Sequence, residues 1–496
     1  MLDFPFFNKK KSTSSGSIHY KEDDEKPSSN TDSQLLRKRL VRKLDLRIIP
    51  WAILASFASK IDRSNLQSAF TMGMDKDLDI NSDAYNWASS FFFIGNTVIQ
   101  IPGNMIVAKF SPQVILPATA VIWGALTCLM AVVQDYRALW AIRFLLGAAE
   151  APLFPGTAFL IGSWYTTEEL GKRVTLFSTA GTVLSGAFGG LIAGGISDTM
   201  QNVHGLPSWK WLFIIEGLIA VVIGIVGFFL LPHFPHGKNS WITPEERKFA
   251  ISRIRNEGTK IVSASLNWKT VYNVVITPYA WIMAITYALI YFSRNLENFF
   301  AIILKSMGYP ASFSNYMLTP LNVFAFLISV ALAWSSDYFG DRVFHIIGAQ
   351  TFVGIWYLIL AAINRGDNPV VLVYIASYAT GVTSLSGSLI FAWANEIYKN
   401  DHNTRAIVIA FINAVGLLIP NFANVKLWVV SDSPEFWIGK ISSMAASFGS
   451  VLLVILIWFL HRVDFLIPKP SVDKEDQVTA STIEDEEKQA NNSTSK

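Results

Sequence analysis

The sequence predicts an all-α membrane protein whose twelve transmembrane helices fall into two six-helix halves. Three observations carry that prediction. Of the 496 residues 51% are hydrophobic and only 16% charged, and the mean hydropathy is +0.36. A soluble chain of this length has too little interior to hide that much apolar surface, so lipid is the expected solvent. Twelve apolar runs reach the roughly 20 residues that a helix needs to cross a hydrocarbon core of about 30 Å. The longest polar interval, about residues 232–275, separates the sixth run from the seventh.

In chain order, residues 1–34 are polar and Ser-rich, lack the apolar surface to fold, and are expected to form a disordered cytoplasmic tail. No signal peptide is expected, because the first apolar run begins only near Ile48. The predicted spans are 47–70, 84–108, 112–133, 138–163, 174–197, 211–231, 276–304, 316–335, 343–363, 370–393, 406–428 and 437–460. The distal half of the first reads "SKIDRSNLQSAF" and carries Lys60, Asp62 and Arg63, which weakens it as an apolar run. Pro420, Asn413, Asn421 and Asn424 interrupt the eleventh. These runs define an N-terminal six-helix bundle over 35–231, a cytoplasmic linker over 232–275, a C-terminal bundle over 276–465 and a second disordered cytoplasmic tail over 466–496. Within the linker, "TPEERKFAISRIRNEG" predicts a short helix, with Thr243 as N-cap, Pro244 at the first helical position and Gly258 at the end.

Orientation follows from the basic residues beside the spans. The approach "LLRKRLVRKLDLR" and Lys172, Arg173, Arg342, Arg405 and Arg462 share one side of this topology, whereas the Asp-rich loop "TMGMDKDLDINSD" lies on the other. Both termini are therefore expected in the cytoplasm. The net charge of +3 gives no reason to expect nucleic acid, and the single cysteine, Cys128, excludes an intrachain disulfide framework. The spans hold no histidine-rich metal cluster and no nucleophile with a partnered base, so neither an enzyme nor a metal or cofactor site is expected.

The halves show one internal match. "LIGSWYTTEELGKR" at the end of the fourth span resembles "LIFAWANEIYKNDHNTR" at the end of the tenth, and that register sets Arg143 and Glu150 opposite Leu372 and Ala379. The charges therefore belong to the N-terminal half alone, on a plan suited to a transporter of two related halves.

Those charges stand in "RFLLGAAEAPLFPG". Arg143 and Glu150 are seven residues apart, about 10 Å along a helix and on nearly one face. A charge at the bilayer centre costs at least about 2.5 to 3.5 kcal/mol, so that face looks into protein or a wet cavity. Asp62 and Arg63 are the obvious counterparts; the alternatives are that Arg143 snorkels to the surface and that Asp62 and Arg63 simply end the first span. Pro152, Pro155 and Gly156 loosen the helix beyond Glu150. In the seventh span Arg294 and Glu297 stand at i,i+3, either as a structural pair or as a substrate contact. Asn395 and Glu396 fall at a helix end where solvated polar residues are ordinary. After the eighth span "SDYFGDR" places Asp337, Asp341 and Arg342 around a glycine turn, a pattern suited to a conformational latch; its counterpart "NMIVAKFSPQ" keeps only Lys109.

"DRSN" in the first span, "RFLLGAAEAPLFPG" in the fourth, "WKWLFIIEG" opening the sixth and "TPEER" in the linker together resemble the anion:cation symporter family of the major facilitator superfamily. "RAIVIAFIN" and "SDSPEFWIGK" are similar to fungal permeases for pantothenate, biotin and allantoate, and the resemblance covers about residues 40–465. It implies the major facilitator fold and plasma-membrane uptake of a small organic anion with protons. Carried to matching positions, it makes Asp62 and Glu150 proton sites, sets Arg63 on the substrate carboxylate, and has Arg143 pair with Asp62 or gate it. Pantothenate leads the expected substrates; allantoate, nicotinate, biotin, small peptides and organosulfur anions stand behind it. An uncoupled facilitator and a nutrient sensor are the competing readings, the sensor disfavoured because the short tails carry no recognisable module. The bilayer is the expected surrounding and a monomer the expected state.

Overall fold

A computed structural model describes residues 30–462 except 81, 236, 238–240, 257–267, 363–369 and 399–401. Residues 1–29 of the N-terminal tail, the C-terminal tail and Gly258 therefore lie outside the described residues, whereas residues 30–34, expected in the disordered tail, open the first helix. Among those described, the regular elements are helices, with no β-strand. The N-terminal half contains Asn30–Ala69, Ser82–Lys109, Pro112–Leu129 with a following 3-10 turn, Tyr136–Glu150 continued by Leu153–Trp164, Thr167–Thr199 and Ser208–Leu230. The C-terminal half contains Pro278–Phe292 continued through short pieces to Ser306, then Ala311–Phe339, Val343–Ala362, Val370–Thr380 with Thr383–Ile397, His402–Leu427 and Trp437–Arg462. These are the twelve spans, six in each half.

Nine of the described helices are long and apolar enough to cross a membrane, or ten when Thr270–Ile276 and Pro278–Phe292, bent by 69°, count as one. The first and second spans do not meet that standard, and their lining of the central cavity explains it. Ser56, Ser59, Lys60, Arg63, Ser64 and Gln67 of the first face the interior space, as do Asn86, Ser89, Asn96 and Gln100 of the second. The first helix is also 40 residues long, about 60 Å, and so projects well beyond a bilayer. Elsewhere the outward faces are apolar: Phe229, Trp334 and Leu452 are exposed, as lipid contact requires.

Helices of the N-terminal half cross closely. The second and fourth spans meet at Gly95 and Gly147; a Cβ on Gly147 would stand 2.0 Å from the Phe92 carbonyl oxygen, and one on Gly95 2.1 Å from that of Phe144. Only glycine fits there, and lipid-exposed bundles rely on such small-residue contacts because lipid tails compete with side chains for burial. The breaks within helices repeat between the halves. The fourth span is interrupted at Ala151–Pro152 and the tenth at Gly381–Val382, one residue apart in the internal register that aligns Glu150 with Ala379.

Hydrogen bonds join the two halves from mid-membrane to the face far from the described chain ends. Asn86 Nδ2 donates to the carbonyls of Asn424 (3.0 Å) and Trp428 (2.9 Å), and Ser90 Oγ to that of Asn421 (3.0 Å). Ser89 reaches the Asn421 side chain at 3.2 Å, Asn315 reaches Thr71 at 2.9 Å, Tyr316 reaches Asp198 at 2.9 Å, and Thr319 reaches the Ala187 carbonyl at 3.2 Å. The described ends of the first and twelfth spans, together with the linker helix Pro244–Asn256, occupy the opposite face.

Candidate functional site

Behind that seal lies a cavity of about 980 Å³ lined by both halves, and it runs past Phe154–Ala158, Phe177, Phe391 and Ile409 toward the face of the chain ends. Local sequence places its charges. Asp135 caps the fourth span by accepting the backbone N–H groups of Arg137 and of Ala138, the latter at 3.2 Å. Glu150 ends the first part of that span. Pro152 and Pro155 have no N–H to offer the carbonyls of Ala148 and Ala151, so the helix breaks beside the carboxylate.

Glu150 is buried, and its Oε1 gathers three donors: Arg63 Nη2 at 2.6 Å, Arg63 Nε at 2.9 Å and Ser59 Oγ at 2.5 Å. Its Oε2 has no hydrogen-bond partner among the described residues. The side chain of Arg63 is 33% exposed to the cavity and lies over the Phe92 ring, 5.5 Å from its centroid. The ion-pair partner of Glu150 is thus Arg63, one helix away, rather than Arg143 on its own helix.

Arg143 and Asp62 form a second, drier cluster. Arg143 Nη1 donates to the Asp62 backbone carbonyl at 3.2 Å and Nη2 to Asn65 Oδ1 at 3.1 Å; among the described residues it makes no carboxylate ion pair within 4.0 Å. Asp62 accepts from Asn65 Nδ2 and Thr127 Oγ1, each at 3.3 Å, and both Asp62 and Arg143 are nearly inaccessible. Arg143 lines the cavity and Asp62 does not. The expected Asp62–Arg143 pairing therefore takes the form of a hydrogen bond to the aspartate's main chain. Glu216, quoted above only within "WKWLFIIEG", is buried against the same cluster with its Oε2 unpartnered. An acid in a sixth span was its one sequence signal, and the sequence reading assigned it no role.

Across the cavity Arg294 Nη2 pairs with Glu297 Oε1 at 2.8 Å; Arg294 faces the cavity and Glu297 is buried. Asn295 and Asn424 exchange side-chain hydrogen bonds of 2.7 and 3.1 Å, which ties the seventh span to the eleventh. Asp337, Asp341 and Arg342 lie apart from the cavity. Arg342 pairs with Asp337 and, at 3.2 Å, with Glu396 of the tenth span, while Asp341 accepts from the Phe344 N–H at 3.0 Å. Arg342 is held more firmly protonated than a free arginine, chiefly by the Asp337 hydrogen bond. Lys109, at the degenerate counterpart, stands 5.5 Å from the Phe110 ring centroid.

Twelve helices in two halves, sealed on one face around a cavity that carries charged side chains and extends to the other, define a membrane transporter. The Major Facilitator Superfamily profile matches residues 52–423, and the chain belongs to that superfamily, whose members are transporters of small molecules rather than enzymes. It is 30% identical to the MFS-type transporter cnsO of Penicillium expansum over 87% of this chain and 85% of that one. It is 28% identical to the pantothenate transporter FEN2 of Saccharomyces cerevisiae, over 91% and 90%, and 30% identical to a putative tartrate transporter of Agrobacterium vitis, over 77% and 83%. Among solved structures, that of a D-xylose–proton symporter superposes with a TM-score of 0.63 at 15% identity, covering 83% of this chain and 97% of that one.

Proposed function

We propose that the protein takes up a small organic carboxylate, pantothenate or a similar nutrient anion, together with a proton, across the plasma membrane by alternating access, with both termini in the cytoplasm. The observation that carries this reading is the buried Glu150, held on one oxygen by Arg63 at the cavity wall and unpartnered on the other. An entering carboxylate competes for the Arg63 guanidinium, whose planar fork suits it. Glu150 then loses its cation and gains a reason to take a proton, so anion and proton bind cooperatively by linkage. Asp62 is the second proton site, buffered by Arg143; Arg63, Arg143 and the Arg294–Glu297 pair form the anion-binding wall. Asp337, Asp341 and Arg342 act as a latch joining the ends of the eighth and tenth spans. Likeness to a pantothenate and a tartrate transporter, both named for carboxylates, supports the substrate class.

Glu150→Gln tests the reading. The amide mimics the protonated acid, so proton-driven accumulation is expected to collapse while exchange of internal for external substrate continues with a flattened pH profile. Because Arg63 reaches cavity water, the variant should fold. Reconstituted counterflow beside proton-driven uptake separates the two activities, and a folded variant that still accumulates substrate with unchanged pH dependence removes the proton role.

A further inference from the structure

Four cations line the cavity, and three are engaged. Arg63 is committed to Glu150, Arg294 to Glu297, and Arg143 to the Asp62 carbonyl and Asn65. The fourth, Lys60, makes neither a hydrogen bond nor an ion pair among the described residues, although Arg63, Glu150 and Arg294 are its charged neighbours. Lys60 stands at i−3 from Arg63 on the first span, hence on the same face and about 4.5 Å nearer the end of the helix toward which the cavity runs. A lysine inside a span is costly, and its usual excuse, a carboxylate partner, is missing here.

We propose that Lys60 is the specificity-determining residue that receives the substrate's carboxylate, docking it beside Arg63 while the Arg63–Glu150 pair is still closed. The inference rests on the anion-transport reading above and adds a residue to it. An ammonium with no protein partner offers its donors without first breaking an ion pair, whereas Arg63 and Arg294 must each release a carboxylate. Docking at Lys60 brings the anion within one helical turn of Arg63, from which the exchange that frees Glu150 can proceed. Selection between a carboxylate and a neutral group of the same shape then falls to Lys60, because a hydroxyl in its place would leave the ammonium without a counter-charge.

The test uses the full chain in a fungal host deprived of its own pantothenate uptake, with pantothenate, nicotinate, allantoate and tartrate as probes and surface amounts measured by a fluorescent tag. For whichever probe the wild type moves, Lys60→Gln should raise KM about tenfold or more, with the maximal rate per surface molecule within about twofold. It should also erase the preference for that probe over its neutral analogue, in which an alcohol or amide replaces the carboxylate. Lys60→Arg should keep KM within about threefold of wild type. An unchanged KM and preference in Lys60→Gln overturns the assignment while leaving the anion-transport reading in place. Equal losses of folded protein in both variants also overturn it, since Lys60 would then serve the packing of the first span rather than a carboxylate. A wild type that moves none of the probes refutes the anion reading itself, and the Lys60 assignment with it.

Discussion

Replacing Asn86 by Ala should shift the transporter from the described state, sealed on the far face, toward one open there. Asn86 is 3% exposed, and its amide bridges the halves by two hydrogen bonds, to the Asn424 carbonyl, which also accepts the Trp428 N–H at 3.1 Å, and to the Trp428 carbonyl just past the end of the eleventh span. In the opposite state these groups are wetted, so each bond contributes its net value of about 1 kcal/mol to the sealed state. Losing both costs about 2 kcal/mol, a change of roughly 30-fold in the equilibrium. An ensemble sealed to about 95% would become close to 40% sealed. The distance between spin labels on Lys76→Cys and Asp432→Cys, both exposed on the far face, reports the shift in a Cys128→Ser background, since Cys128 is the only native cysteine. Asn395→Ala is the control: its amide bonds within its own helix, to the Phe391 carbonyl, and bridges nothing. Coincident distance distributions for Asn86→Ala and Asn395→Ala would refute the reasoning.

Two further outcomes follow from the fold. Gly147→Ala should lower the thermal midpoint and yield of the purified protein, because its Cβ would meet the Phe92 carbonyl oxygen at 2.0 Å and overpacking against backbone costs about 1 to 3 kcal/mol; Gly171→Ala, with nothing within 4 Å, should not, and equal midpoints would discount the close crossing. The linker helix should release from the first span on acidification. Thr243 and Glu246 form a reciprocal capping box, and Glu246 also accepts Lys43 Nζ at 2.8 and 2.9 Å. Burial raises the Glu246 carboxyl, but the Lys43 and Thr243 hydrogen bonds outweigh it and hold it below the usual glutamate range. A depressed folded-state value contributes stability that is present above the unfolded value and is lost as pH falls through the folded one, so docking should weaken below the ordinary glutamate range. A spin label at Lys248→Cys should gain mobility over that window in the wild type and show no such transition in Glu246→Gln; identical profiles would sink the idea.

The spans were legible because apolar length is a strong signal, and even the break after Glu150 was announced by two prolines. The site was legible only as a set of charges. Sequence spacing can place Arg143 and Glu150 on one helix face, but it cannot say which cation a carboxylate meets on another helix, and the pair turned out to be Arg63–Glu150. Lys60 read as a flaw in an apolar run because a lysine there explains itself only once the cavity is seen. The asparagines of the eleventh span likewise read as interruptions. Asn421 and Asn424 in fact supply acceptors for the second span and a partner for Asn295, contacts between segments more than a hundred residues apart that no local pattern encodes.

The chemistry of the two regions differs in a way that suits their tasks. Inside the cavity Arg63 and Arg294 are held in ion pairs, which an anion can enter only by exchange. Among the described residues the far-face seal is built mainly of neutral hydrogen bonds; its lysine–carboxylate contact, Lys426–Asp83 at 3.0 Å, is exposed on both sides and contributes at most about 1 kcal/mol. Hydrogen bonds of about 1 kcal/mol each are individually replaceable by water, so such a seal holds the halves together by several kcal/mol and no more. A stronger seal of buried ion pairs would strand charges whenever it opened, at roughly 3 to 5 kcal/mol for each broken pair. Leaving buried ion pairs out of the seal and closing the gate with amides and hydroxyls keeps the two end states close enough in free energy for a bound substrate to choose between them.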